Sequence, residues 1–227
     1  MEKVFDVNNL KVQKNAVEKL QIFCDFLLEK NKQFNITAIR DKQGVFEKHF
    51  ADSLMGKDYF FKNAKVLEVG SGGGFPSIPL KANDESLNFT LLEATGKKCE
   101  FLKAVVNKLD LKNVTVINDR AETLAKNENY REKFDICSAR AVARLNTLSE
   151  YCMPFIKVGG TFVSYKGDAE EEILEAKNAV KVLGGTIEDA FCYELDGAKR
   201  TLVKIKKIKN TDKKYPRGNG KERKNPL

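Results

Sequence analysis

The sequence predicts an α/β fold in which a mostly parallel sheet carries helices on both faces. From about residue 61, short apolar runs alternate with amphipathic runs, as strands and helices do in a parallel sheet. Near the C-terminal end, two strand-like runs flank Asp196-Gly197, a pair that favours a tight hairpin turn. The hairpin would place one antiparallel strand in an otherwise parallel sheet.

Two amphipathic helices are expected before this region. Between about residues 10 and 32, apolar side chains recur at helical spacing along one face. A second helix is expected from Asp41, whose carboxylate can cap it, to about Tyr59. Residues 1–60 are therefore predicted to form an N-terminal helical extension that packs on the core.

Seven strands and three longer helices are expected in the α/β domain, residues 61–209. The strands are predicted at KVLEVG, NFTLLEA, NVTVIND, KFDICSAR, GGTFVSYKG, TIEDAFCYEL and RTLVKIKKI. The helices are predicted at KKCEFLKAVVNKL, at about residues 145–156, and at DAEEEILEAKNAVKVLG. In the last of these, Asp168 is the expected cap and Gly184-Gly185 the stop.

Composition favours a globular cytoplasmic protein without a membrane or metal role. The hydrophobic fraction is 42%, and no apolar run approaches the roughly 20 residues that span a bilayer. The first residues carry no apolar leader. Five scattered cysteines and a single histidine indicate buried reduced thiols and no metal site.

Positive charge is concentrated at the C-terminal end. Residues 199–227 contain 12 Lys and Arg against two acidic residues, although the net charge of the whole chain is only +8. Such a cluster is either a solvated tail or a surface that contacts a polyanion such as RNA. Residues 210–227, rich in Pro, Gly, Asn and Lys, are predicted to be a basic flexible tail.

The stretch VLEVGSGGGFPSIPL, residues 66–80, is a glycine-rich turn after the first predicted strand. A phosphate loop of the form G-x-x-x-x-G-K-[ST] is absent there. A dinucleotide turn needs G-x-G-x-x-G, and Gly70 and Gly72 fit, but Phe75 stands at the third glycine. An NAD site is thus disfavoured but not excluded.

The pattern Glu68-x-Gly70-x-Gly72-x-Gly74 is typical of class I S-adenosylmethionine (SAM)-dependent methyltransferases, whose sheet is Rossmann-like. A turn without side chains lets the backbone approach a cofactor that carries no phosphate. A carboxylate at Glu68 would favour the cationic ammonium and sulfonium groups. Glu93, at the end of the second strand, can accept hydrogen bonds from ribose hydroxyls.

Several blocks together resemble one bacterial family, the ribosomal RNA small-subunit methyltransferase G family, also called glucose-inhibited division protein B. The resemblance covers essentially the entire chain. It rests on VGSGGGFPSIPL and on NKQFNITAIRD, KHFADSL, LLEATGKKCEFL, RAETL, FDICSARAVARLN, SYKG, RTLVKIKK and YPRGNGKERKNPL. It implies an enzyme that uses SAM to methylate N7 of guanine-527 in 16S rRNA, as free RNA or in the small ribosomal subunit.

The resemblance also implies which residues contact the cofactor. The family's contacts fall on Gly70, Phe75, Ala121, Glu122 and Arg140. Arg140 would lie at the mouth of the sheet, near the methyl group, and position the reactants. The resemblance also places His49 near the site, as a weaker catalytic candidate.

Five basic residues are candidates for RNA contact: Lys166, Arg200, Lys213, Lys214 and Arg217. N7 of guanine carries a lone pair and no proton, so no general base is expected. We expect a monomer that binds no DNA. The alternatives are a class I methyltransferase with another RNA or protein substrate, and a non-catalytic ribosome-assembly factor that binds RNA. The intact set of Glu68, Gly70 and Glu93 favours an enzyme.

Overall fold

A seven-stranded sheet runs through the part of the chain, residues 12–227, that the computed structural model describes. The strands are β1 (Lys65–Val69), β2 (Asn88–Glu93), β3 (Val114–Asn118), β4 (Phe134–Arg140), β5 (Ile156–Lys166), β6 (Gly185–Leu195) and β7 (Ala198–Lys207). Their order is β3-β2-β1-β4-β5-β7-β6. Strand β7 runs antiparallel to both neighbours, and the remaining pairs are parallel. The predicted fold class is confirmed.

Helices lie between the strands in sequence, and further helices precede β1 and follow β7. They are α1 (Lys14–Phe34), α2 (Lys42–Gly44), α3 (Asp52–Met55), α4 (Ser77–Asn83), α5 (Gly96–Lys108), α6 (Ala121–Leu124), α7 (Leu145–Cys152), α8 (Glu170–Val182) and α9 (Lys221–Lys224). A π-helical segment, Val45–Ala51, joins α2 to α3. None of the helices within residues 12–227 is long and apolar enough to cross a membrane.

The predicted N-terminal helices are present, with shifted boundaries. The region around residue 10, where the first helix was expected to begin, lies outside the described residues. The second predicted helix forms as α2, the π-helical segment and α3. Its expected cap is correct, because the carboxylate of Asp41 accepts a hydrogen bond from the Gly44 amide at 2.8 Å.

Two hydrophobic clusters cover the two faces of the sheet. Phe23 and Leu27 of α1 pack with β-strand residues such as Leu91 on one face. Leu148 of α7 and Phe162 of β5 belong to the cluster on the other face. Since side chains alternate along a strand, the even-numbered residues of β4 from Ile136 to Arg140 face the N-terminal helices.

The C-terminal hairpin forms as the sequence predicts. Asp196 and Gly197 both have positive φ angles, 51° and 68°, as a two-residue hairpin turn of type I′ requires. Helix α8 begins at Glu170, with Ala169 rather than Asp168 at the cap position. Of the five cysteines, only Cys192, on β6, is exposed.

The structure departs from the expected flexible tail, because residues 210–227 pack against α7. Tyr215 is buried in the hydrophobic cluster of that face. Arg217 pairs with the fully buried Glu150, with Nη2 at 2.7 Å and Nε at 3.0 Å from its carboxylate oxygens. No local sequence pattern indicates these contacts, since the partners lie more than 60 residues apart along the chain.

Candidate active site

A cleft of about 420 Å³ opens where the carboxyl ends of β1 to β4 meet. Its walls include Gly70 after β1, Glu93 of β2, Asp119 after β3 and Val142 after β4. The strand order reverses between β1 and β4, and ligands of open parallel sheets bind at such a reversal. The topology therefore places the glycine-rich turn at the floor of a ligand site.

Two glycines of this turn have conformations and surroundings that exclude other residues. Gly70 has a φ of +69°, and a Cβ atom there would lie 2.6 Å from Cγ2 of Val142. Gly74 has a φ of +86°, and its Cβ would lie 2.6 Å from Cγ1 of Ile78. Any side chain at Gly70 would also intrude on the cleft, so the turn serves close approach of a ligand to the backbone.

Glu93 holds the glycine-rich turn and also lines the cleft. Its Oε2 accepts a hydrogen bond from the Gly72 amide at 2.9 Å, and its Oε1 accepts one from the Thr95 amide at 2.8 Å. Each carboxylate oxygen can accept a second hydrogen bond. Glu93 can therefore fix the turn and still accept hydrogen bonds from ligand hydroxyls.

Glu68 is completely buried, and neither carboxylate oxygen has a hydrogen-bond partner among the described residues. Burial raises its pKa to about 7, against the opposing effects of the Ser77 hydroxyl, the Arg140 charge and Ser71. Glu68 does not line the cleft but lies on the side of the turn that faces the N-terminal helices. A buried carboxylate without a partner is the clearest unsatisfied group in this region.

Arg140 joins β4 to the N-terminal helical segment. Its Nη1 donates to Oδ2 of Asp52 at 2.8 Å, and its Nη2 donates to Nδ1 of His49 at 2.8 Å. The guanidinium lies 5.0 Å from the ring centre of Phe75, on which the His49 ring stacks at 4.3 Å. The predicted residues His49, Phe75 and Arg140 thus form one cluster, next to the cleft residues that follow Arg140.

The protonation state of His49 follows from its two partners. A guanidinium can only donate, so Nδ1 accepts and the proton lies on Nε2, which donates to the Thr37 hydroxyl at 2.7 Å. Burial and the adjacent Arg140 charge lower the pKa of His49 to about 3. His49 is therefore neutral near pH 7 and has no free ring nitrogen for proton transfer.

Asp52 also contacts the C-terminal half of the sheet. The Tyr193 hydroxyl donates to Oδ1 of Asp52 at 2.8 Å, and the Arg200 Nε lies 3.7 Å from the same oxygen. Asp52 is only 4% exposed, so these contacts fix it within the protein. Arg200, expected to contact RNA, is partly engaged in this internal ion pair.

The other predicted RNA contacts separate into internal and exposed groups. Lys166 donates to the Ala143 carbonyl and pairs with Glu172, and its side chain is 9% exposed. Arg217 is engaged with Glu150. Lys213 and Lys214 are exposed.

Four predicted cofactor residues meet in the cleft: Gly70, Glu93, Ala121 and Glu122. The side chain of Phe75 packs in the hydrophobic core with Phe23 and Phe50, away from the cleft. In a dinucleotide-binding turn, the third glycine allows the helix to pack closely on the strand. The bulky side chain of Phe75 at that position is inconsistent with such packing, which argues against an NAD site.

The family model of rRNA small subunit methyltransferase G matches residues 16–203 of this chain. The chain belongs to this family. Relatives named Ribosomal RNA small subunit methyltransferase G are similar over nearly full length. The protein of Lactobacillus johnsonii is 46% identical, covering 94% of this chain and 93% of its own, and that of Leuconostoc citreum is 42% identical, covering 96% and 94%.

Solved structures with the same fold include methyltransferases of low sequence similarity. A SAM-dependent methyltransferase from Aquifex aeolicus superposes with a TM-score of 0.54 at 19% identity, covering 71% of this chain and 92% of its own. TYW2 of M. jannaschii in complex with AdoMet gives 0.56 at 16% identity, covering 75% and 80%. This chain therefore has the class I methyltransferase fold that the sequence predicts.

The cofactor of this methyltransferase G family is SAM, and the cleft fits it. Gly70 lets a ligand approach the backbone, Glu93 retains acceptor capacity for ribose hydroxyls, and Glu122 lines the cleft after β3, at a position where the resemblance implies a cofactor contact. Sequence patterns missed several cleft residues: Lys98, Asp119, Arg120, Val142, Tyr151, Gly220 and Arg223. Only Asp119-Arg120, at the end of a predicted strand, could have been identified from local sequence.

Proposed function

We propose that this protein methylates N7 of guanine-527 in 16S ribosomal RNA, with SAM as the methyl donor. The observation that carries the proposal is family membership over nearly the whole chain, combined with a cleft whose lining fits SAM. We further propose that it acts as a cytoplasmic monomer on 16S rRNA or the small ribosomal subunit, without DNA or membrane partners.

The chemistry of N7 explains what the site needs. SAM supplies a methyl group on a sulfonium whose departing thioether is neutral. N7 attacks through its in-plane lone pair and loses no proton, so no side chain has to act as a general base. The state of His49 is compatible with this, since its pKa is lowered to about 3 and both ring nitrogens are bonded. Rate enhancement would then come from positioning and electrostatics.

Arg140 is the proposed positioning residue. Asp52 and His49 hold its guanidinium, and Phe75 lies beneath it. The next residues, Ala141 and Val142, line the cleft, so a shift of Arg140 would be transmitted to the cofactor wall. Glu68, buried and without a partner, lies on the same side of the turn, and with its pKa raised to about 7 it carries a full negative charge only above neutral pH.

Binding of rRNA is proposed to depend on the exposed lysines of residues 210–227, including Lys213 and Lys214. Basic side chains contact phosphates and contribute affinity that falls with salt. Lys166 and Arg217 are engaged with internal carboxylates, so their expected contribution to RNA binding is smaller.

The test is a methyl-transfer assay with labelled SAM on small subunits and on free 16S rRNA from cells that lack this methylation. Mass mapping of the product should locate one methyl group at N7 of guanine-527. Transfer to a different nucleotide would contradict the site, and transfer to neither substrate would contradict the function. An Arg140→Ala variant that retains full activity would contradict the positioning role.

A further inference from the structure

The C-terminal segment, defined here as residues 211–227, reaches the cofactor cleft. Gly220 and Arg223 of this segment line the cleft together with Tyr151, Ala121 and Glu122. These residues come from three separate parts of the chain that the fold brings together. The segment therefore contributes a wall to a cleft otherwise built from the sheet and from loops and helices next to its strands.

Buried polar contacts with α7 hold this segment in place. Glu150, which is fully buried, accepts hydrogen bonds from the Arg217 side chain and from its backbone amide at 2.8 Å. The Thr147 hydroxyl donates to the Glu222 carbonyl at 2.9 Å. The buried carboxylate of Glu222 accepts a hydrogen bond from the Gly218 amide. The turn before α9 is thus fixed on both sides.

Arg131 provides a second attachment. Its guanidinium donates to the carbonyls of Thr211, Asp212 and Tyr215 at 2.8, 3.0 and 2.9 Å. Tyr215, which belongs to the segment, is buried in the hydrophobic cluster that contains α7 residues. Because both ends of the segment are attached to the domain, α9 holds Arg223 at a defined position rather than on a free chain.

Arg223 lines the cleft together with Tyr151 of α7 and the residues that follow β3. It interacts with the Tyr151 hydroxyl and thereby opposes the rise that burial causes in the pKa of that phenol. Ala121 and Glu122, at the start of α6, line the same cleft. A guanidinium, a phenol and a carboxylate therefore surround one end of the cleft. Adenine presents ring nitrogens that accept hydrogen bonds, an amino group that donates them, and a face on which a guanidinium can stack.

We propose that Arg223 binds the adenine end of the cofactor, so that the C-terminal segment forms part of the cofactor site. The inference rests on SAM being the cofactor, as in the proposed function. Arg223 is exposed and has no carboxylate partner among the ion pairs of residues 12–227, so the guanidinium donors that Tyr151 does not engage are available to a ligand. Its planar group matches a flat heterocycle better than a lysine ammonium would.

The test is calorimetric titration of the full chain, without RNA, using S-adenosylhomocysteine (SAH) and 5′-methylthioadenosine, which lacks the amino-acid moiety. We expect Arg223→Ala to weaken binding of both ligands about tenfold, the effect of losing one charge-assisted contact. The matched control is Lys224→Ala, which removes the same charge from α9 at a residue that does not line the cleft. Its affinities should stay within about twofold of the wild type.

Three outcomes would overturn the inference. Unchanged affinity of Arg223→Ala would show that the residue does not contact the cofactor. A loss with SAH but not with 5′-methylthioadenosine would place it at the amino-acid end. Equal losses in both variants would indicate a general charge effect. Because the assay contains no RNA, its result does not depend on whether guanine-527 is the target. If the wild-type chain binds neither ligand, SAM as the cofactor is contradicted as well. Thermal unfolding without ligand verifies that both variants are folded.

Discussion

The guanidinium of Arg140 donates a hydrogen bond to the carboxylate of Asp52 at 2.8 Å, across 88 residues of sequence. Both side chains are largely buried, with 15% and 5% of their surface exposed. This pair connects the end of a central strand to the N-terminal helices. The position of the strand end next to the cleft therefore depends on residues outside the α/β domain.

Replacement of Asp52 by Asn should destabilise the protein by about 2–4 kcal/mol, because it leaves a mostly buried guanidinium without its anionic partner. Urea unfolding monitored by circular dichroism measures the change. The matched control is Asp25→Asn, which breaks an exposed ion pair with Lys42. That change should cost less than about 1 kcal/mol. Equal effects of the two substitutions would contradict a structural role for the buried pair.

His49 should make stability depend on pH in acid. Its pKa is lowered from 6.5 to about 3 on folding, so between those values only the unfolded chain binds the proton. Its contribution to stability is therefore present above pH 6.5 and is lost as the pH falls towards 3. Unfolding free energies measured from pH 4 to 7 should rise more steeply for the wild type than for His49→Gln. Parallel profiles would show that His49 does not resist protonation.

Glu68 should produce the opposite dependence. Its pKa is raised from 4.5 to about 7, so the folded state holds a proton that the unfolded state has lost. The contribution of this bound proton to the free energy of unfolding is fully present below pH 4.5 and is lost as the pH rises through 7. The loss amounts to at most about 3 kcal/mol. Glu68→Gln should therefore be more stable than the wild type at pH 8.5 but not at pH 4.5. The same gain at both pH values would exclude titration of Glu68.

Gly70→Ala should abolish SAM binding, since the added Cβ would lie 2.6 Å from Val142 and at a φ of +69°. The control is Gly197→Ala, which has a similar φ of +68° but no atom within 4 Å of the new Cβ. That variant should lose about 1 kcal/mol of stability and retain cofactor affinity. The double variant Gly70→Ala/Val142→Ala should recover part of the binding. Calorimetry with SAH gives each affinity.

Replacing both Lys213 and Lys214 with Ala should weaken 16S rRNA binding and reduce the slope of log affinity against log salt by about 1–2. The matched control is Lys62→Ala/Lys65→Ala, which removes two exposed lysines outside the C-terminal segment, at and just before the start of β1. The control should leave the slope unchanged. If the slopes of the two variants fall equally, or if neither falls, the basic C-terminal region is not the RNA contact. Filter binding at several salt concentrations measures both.

The parts of the fold that depend only on residues close together in the sequence could be predicted from it. The turn at Asp196-Gly197 and the helix cap at Asp41 are local, and each is present as expected. The cleft residues Gly70 and Glu93 belong to a recognisable pattern at the ends of successive strands. These features are determined by a few residues and by the alternation of strands and helices.

The contacts that escaped prediction join distant parts of the chain. Nothing near Asp52 identifies Arg140 as its partner, and nothing near Arg217 identifies Glu150. Composition alone described residues 210–227 as a solvated tail, because lysine, glycine and proline dominate it. A buried ion pair depends on the geometry of the finished fold, which a local pattern of residue types does not contain.

The Glu150–Arg217 pair has a consequence during biosynthesis. Helix α7 can fold against the sheet before the last residues of the chain have left the ribosome, but Glu150 then lacks both its cation and the amide of Arg217 that bonds to it. A chain that terminates before Arg217 would keep this defect permanently. Such products should unfold more readily and be removed by proteases, so this late contact distinguishes finished chains from incomplete ones.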